Sequence, residues 1–228
     1  MMDRRRALMM AQEETGQPLE NLTPGTGIWI SESGTLKQWI YLGKDSSGNC
    51  QMLRERAYGQ RRISASSMSI PNYDGTEMDT YLSGTYLNKF TAKVKGYLTA
   101  TTISHRVFNS STSSSSYPDM IKKCYLPTMK QMGYGGSEAG TVFLQALRTF
   151  YSTTSDNAAR KAMNESGTTV QYWLSSAYTQ ENRFHVIGTT ANLTYNQATN
   201  GTAVYYRPIL SFSAATPVKN TDDGYVIG

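Results

Sequence analysis

The side chains able to do chemistry are few and scattered. His105 and His185 each stand alone in strand-like sequence, without the HExxH spacing or another close ligand pair that would hold a metal. Cys50 and Cys124 lie far apart, with no CxxC and no nearby histidine to make a zinc site. Two free, buried thiols are the expected state, since a secreted disulfide scaffold carries more cysteines at closer spacing. Serine is abundant but no GxSxG elbow accompanies it. The carboxylate pairs Glu77/Asp79 and Asp222/Asp223 fall in turn-like or terminal sequence, with no readable burial to tune them for acid–base work. Gly135 and Gly136 lack the GK[ST] that completes a phosphate cradle. The expectation is a protein that is not an enzyme and carries no cofactor and no metal.

Binding is a better match to the composition. Residues 168–212 are crowded with Tyr, Asn, Thr and Gln, the mixture with which antibody-type surfaces combine large amphipathic area and adaptable hydrogen bonds. Within that stretch, asparagines and glycine mark loops and turns, where contact residues concentrate on a rigid scaffold. The candidate ligand-binding residues are Tyr178, Asn182, Arg183, Tyr195, Asn196 and Asn200. Trp29, Trp39 and Trp173, flanked by aliphatics, are expected in the core, and Arg207 before Pro208 is expected to be structural.

The elements that must position these residues read as follows. Runs at 27–32 and 37–58 give two or three antiparallel strands separated by Gly and Ser turns. Met78, Tyr81, Leu82, Tyr86, Leu87 and Phe90 recur at helical spacing despite Gly84. The stretch 99–108 returns to β-branched residues, 109–119 is a polar serine-rich loop, and 120–134 reads as a strand and a helical turn. Parts of 142–163 are helical, and a strand follows at Trp173. Residues 3–14 could form a short helix, and breakers from Gly16 to Gly27 mark 15–27 as a linker.

At 228 residues the chain has length for one sizeable domain, and its polarity comes from neutral groups rather than charge. The net charge of +5 is concentrated mid-chain, but no basic run alternates with stacking aromatics, so nucleic acid is not expected as a partner. The apolar run at 7–10 is too short for a signal-peptide core, and nothing approaches the roughly 20 apolar residues of a membrane span.

Segment order carries a resemblance. YDGTEMDTYLSGTYLNKF, DMIKKCYLPTMKQMGYGG, YWLSSAY and YYRPILSF follow a leading IWI strand. Over residues 27–212 the chain resembles a bacterial and phage family of domains of unknown function, the matching segments being 76–88, 120–136, 172–177 and 205–209. That family is similar to the C-type-lectin-like fold of formylglycine-generating enzymes and retroelement variable proteins. The resemblance implies an α+β fold: a C-type-lectin-like domain with short antiparallel strands, few short helices and long loops, spanning 27–215 between an arm and linker (1–26) and a tail (216–228). Cys50 and Cys124 do not occupy the segments of an oxidase's reactive pair, and the calcium-lectin motifs are missing, so neither site is carried over. The opening DRRRALM resembles the start of minor structural proteins of phages and prophages. Together these imply a virion subunit of fibre, tail-tip or decoration type, made in the bacterial cytoplasm. Its arm would dock on other virion subunits and its domain would meet a host surface glycan or protein, as a homo-oligomer. The competing expectation is an architectural subunit whose 178–200 loops pack on neighbours.

Overall fold

The structure, a computed structural model, describes residues 16–202 and 204–228. The helix expected at 3–14 lies outside them. Short strands dominate, gathered into several sheets with a few short helices. This agrees with the α+β expectation at the level of class.

The largest sheet has eight strands. In chain order they are β1 (Gln17–Pro18), β2 (Gly27–Glu32), β3 (Thr35–Lys44), β4 (Cys50–Arg54), β10 (Cys124–Tyr125), β17 (Ile209–Phe212), β18 (Pro217–Thr221) and β19 (Gly224–Ile227), stacked as β1-β18-β19-β2-β3-β4-β17-β10. Glu32 pairs with Thr35, leaving a two-residue hairpin in which Ser33 and Gly34 both take positive φ, 51° and 83°. That is the turn whose twist matches two right-twisted strands. β2 alternates in burial, with Ile28, Ile30 and Glu32 turned to the core, whereas β4 and β17 are buried along their whole length. The segments expected to lie outside the domain belong to this sheet. Leu19 and Leu22, in the stretch read as linker, are buried, β1 pairs with β18, and the expected tail returns as a hairpin whose β19 runs parallel beside β2.

A second sheet has five strands: β5 (Tyr58–Gln60), β13 (Tyr172–Ala177), β14 (Arg183–Ile187), β15 (Leu193–Gln197) and β16 (Tyr205–Tyr206), in the order β15-β14-β13-β16-β5. Small hairpins complete the strands: β6 (Thr101–Ser104) with β9 (Asp119–Lys122), β7 (Val107–Asn109) with β8 (Ser114–Ser116), and β11 (Ala162–Met163) with β12 (Thr169–Val170).

The helices are short, and three of the four α-helices among the described residues are capped by hydroxyls. Thr76 Oγ1 accepts from Asp79 N (3.2 Å) to start α1 (Glu77–Tyr81), which runs on through a π-helical turn at Leu82–Tyr86. Thr91 and Ser155 cap α2 (Ala92–Tyr97) and α4 (Asp156–Arg160) in the same way. α3 (Leu144–Phe150) buries Leu144, Ala146 and Leu147. One continuous core holds Trp39, Trp173, Tyr86, Phe143, Phe184 and Phe212. Among the described residues, no helix is long and apolar enough to cross a membrane.

Candidate functional site

The six residues singled out in the sequence lie on or beside the β14–β15 hairpin. Tyr178 follows β13, and its N–H donates to Arg183 O (2.9 Å) across a turn whose last residue, Asn182, takes a left-handed φ of 53°. In the ladder His185 faces Tyr195. Tyr178 and Tyr195 stack with centroids 4.2 Å apart, the Arg183 guanidinium lies 4.6 Å from the Tyr195 ring centre, and Tyr178 meets the His185 ring edge-on at 5.1 Å. One ring face cannot hold both a stacked ring and a guanidinium at these distances, so the two cover opposite faces of Tyr195. Four side chains thus form one ladder: Arg183, Tyr195, Tyr178, His185.

This arrangement changes the roles expected of the residues. Tyr195 is 40% exposed, but it presents an edge and a hydroxyl, so a sugar cannot stack on its face. Asn196, expected in a loop, lies in β15. Its Oδ1 accepts from Asn200 Nδ2 (3.0 Å) and Gln197 N (2.9 Å), while Asn200 Oδ1 accepts from Thr202 N (3.3 Å). Both amides therefore serve the turn. Asn182 Oδ1 is buried without a partner. Among the described residues Arg183 has no ion pair.

His185 is buried at 6% exposure and neither ring nitrogen makes a well-formed hydrogen bond. Burial, helped by the charge of Arg106, pushes its pKa down to about 4, and the Thr194 backbone, which favours the protonated ring, offsets this only in part. His105 is likewise held neutral chiefly by burial, with Nε2 2.7 Å from Asn72 Oδ1.

A second site escaped the sequence reading. A cleft of about 270 Å³ opens where β2, β3 and β4 meet the end of α3, lined by Trp29, Lys37, Gln38, Arg56, Phe150 and Glu165 among others. Trp29, expected in the core, is only half-buried: with Ile28 and Ile30 turned inward, the period-two geometry of β2 sends the residue between them to the other face. Arg54, 1% exposed, closes the floor. Its Nε donates to Glu32 Oε1 (2.8 Å), its Nη2 to Glu165 Oε1 (2.6 Å) and its Nη1 to the Arg56 carbonyl (2.6 Å). Lys37 Nζ holds the other Glu165 oxygen at 2.8 Å. Partial burial alone would raise the Glu165 pKa, but the bonds from Lys37 and Arg54 outweigh it and hold the carboxylate below its ordinary range. The alternation of Ile28, Trp29 and Ile30 was the available signal; the contact of Arg54 with the distant Glu165 left none.

Among the described residues, neither cysteine has a lowered thiol pKa. Cys50 and Cys124 are both free and buried, and burial raises both thiols, the former while it shares a hydrogen with Tyr41 Oη at 3.4 Å. Lys122 bridges Asp74 and Asp79 at 2.7 Å each. Glu138, its pKa raised by burial, accepts a hydrogen bond from the Ser176 hydroxyl, while Ser176 Oγ itself accepts from Met129 N (2.9 Å). Arg207 is fully buried, bonding the Arg54 carbonyl and the Tyr151 hydroxyl, in keeping with a structural role. Among the described residues no group of His, Cys, Asp or Glu could hold a metal ion.

The described residues thus hold two separate features, a cleft with aromatic walls and fixed charged groups and a hairpin carrying an aromatic ladder. The chain belongs to the family described as a domain of unknown function, DUF6273, whose model matches residues 47–214. No curated protein and no solved structure matches it.

Proposed function

We propose that the protein is a phage virion subunit, of fibre, tail-tip or decoration type, whose lectin-like domain attaches the particle to glycans on the host surface. The observation that carries this reading is the Trp29–Phe150 cleft. Sugar rings bind through their apolar C–H faces against aromatic walls and through hydroxyls against polar groups already fixed in place. Here Trp29 and Phe150 supply the walls. Glu165, anchored by Lys37 and Arg54, supplies a carboxylate whose remaining lone pairs are oriented before any ligand arrives. At about 270 Å³ the cleft suits a small ring ligand, lying just below the roughly 300–1,000 Å³ of sites for drug-sized molecules. Individual contacts of this kind are weak, and display in many copies on a particle multiplies them. The virion setting itself rests on the resemblance of the first residues to phage structural proteins.

The test is binding of the full chain to purified bacterial cell-wall polysaccharides. Trp29→Ala should weaken capture by about tenfold, the scale of one lost aromatic contact, and Glu165→Gln should weaken it with little loss of the Trp29 contribution. If both variants bind as the parent does, the cleft is not the glycan site.

The hairpin supports a second role. Tyr178, Asn182, Arg183, Tyr195, Asn196 and Asn200 would form a protein-contact face, since Tyr178 and Arg183 already cover the two faces of Tyr195. An architectural subunit that packs against neighbours through this hairpin would use the same residues. Triple substitution of Tyr178, Asn182 and Tyr195 should then impair particle assembly while leaving polysaccharide capture intact.

A further inference from the structure

β15 is an edge strand, hydrogen-bonded on one side only, to β14. In an antiparallel ladder, successive residues alternate between bonding the neighbouring strand and pointing their backbone groups away from it. Two bonds at the ends of the hairpin fix the phase: Gly188 N to Asn192 O (2.9 Å) and Ala198 N to Asn182 O (2.7 Å). The register runs without a slip from Ile187↔Leu193 to Arg183↔Gln197. Thr194 and Asn196 therefore bond inward, and Leu193, Tyr195 and Gln197 turn N–H and C=O outward. Gln197 agrees with this phase, because its N–H goes to Asn196 Oδ1 and its carbonyl accepts from Asn200 N (3.0 Å). That closes the edge at one end. Among the described residues, nothing bonds the outward groups of Leu193 and Tyr195.

Two residues spaced i and i+2, each offering a donor and an acceptor in one direction, are the unit by which a sheet accepts another strand. β15 (LTYNQ) carries none of the protection that edges ordinarily have: no Lys, no Pro and no bulge. The neighbouring charge selects the occupant. The Arg183 side chain reaches from β14 across the ring of Tyr195, toward the open edge, and has no acidic partner among the described residues. The chain as a whole carries +5, which disfavours a second copy and favours an acidic partner.

We infer that the open edge at Leu193 and Tyr195 docks an extended, acidic segment of a partner protein by strand addition, an acidic side chain of that segment meeting the Arg183 guanidinium. The site is separate from the Trp29 cleft, and the inference stands whether or not the cleft binds glycans.

The probe is a capped synthetic pentapeptide, Thr-Val-Glu-Val-Thr, added at millimolar concentration to the full chain and followed by residue-resolved amide hydrogen exchange. The Leu193 and Tyr195 amides should gain protection, while those of Thr194 and Asn196, already bonded, change little. Arg183→Glu should weaken binding by roughly fivefold or more, the scale of one well-placed surface guanidinium–carboxylate pair. The lysine counterpart, Thr-Val-Lys-Val-Thr, should not bind the parent. Tyr195→Pro removes one outward N–H together with the ring on which Arg183 rests and should abolish peptide binding, with urea unfolding used to check that both variants fold. Polysaccharide capture, measured alongside, reports on the cleft independently. The inference is overturned if the two amides show no protection, if the lysine peptide binds equally, or if they are protected in the free protein in step with its concentration, which would make a second copy the occupant.

Discussion

His185 links the stability of the β14–β15 hairpin to pH, and the size of the effect follows from its burial. The folded ring has a pKa of about 4 against an ordinary 6.5. A depressed histidine stabilises the fold above its unfolded pKa, and that contribution is lost as pH falls toward the folded value, because the unfolded chain takes up the proton first. The gap corresponds to about 3 kcal/mol when both states are protonated, of which about 2 kcal/mol is already lost on going from pH 7 to pH 5. The perturbation that isolates it is His185→Phe, a ring of similar shape at a site where neither nitrogen makes a well-formed hydrogen bond. Urea unfolding at pH 7 and pH 5 supplies the assay. The parent should lose about 2 kcal/mol more than the variant over this range. Glu138, whose pKa is raised by burial, acts in the opposite sense in both proteins and cancels in the comparison. Equal acid sensitivity of parent and variant would refute the reasoning and move the effect to His105 or to the carboxylates.

Two further outcomes test the interior. Arg54→Met leaves Glu32 buried at 4% exposure without its partner and should cost about 3–5 kcal/mol in urea unfolding, while adding Glu32→Gln to the same chain should recover much of the loss. Cys50 and Cys124 should resist a thiol-specific chromogenic reagent at pH 8 in the folded protein and react together on unfolding, since both are buried with raised pKa values.

What the sequence made legible was local. The helical spacing from Met78 to Phe90 became α1 and the turns after it, and alternation in IWISE became β2, because in each case the pattern and the buried face belong to one short segment. The aromatic stretch 178–200, expected as loops, instead holds the β14–β15 hairpin. Its geometry was hidden, because Tyr178 stacks on Tyr195 only through the register that sets His185 opposite Tyr195. Trp29 illustrates the same limit: a tryptophan among aliphatics reads as core until β2 is seen to need Ile28 and Ile30 on that side. Neither the contact of Arg54 with Glu165 nor the return of 217–227 beside β2 leaves a mark in composition, since each is made by residues remote in the chain.

The parallel pairing of β19 with β2 sets an order of events during synthesis. β2, β3 and β4 can form a meander as soon as they leave the ribosome, but β2 acquires its outer neighbour only when Tyr225, Val226 and Ile227 arrive beside Ile28, Trp29 and Ile30. On the other flank, β4 waits for β17. Closing so long a loop comes late, and until it does a nascent chain shows two unpaired strand edges, those of β2 and β4, to its surroundings. The same pairing means that residues outside the matched 47–214 supply β1, β2, β3, β18 and β19, so a fragment trimmed to the family boundaries would lack five of the eight strands of its main sheet.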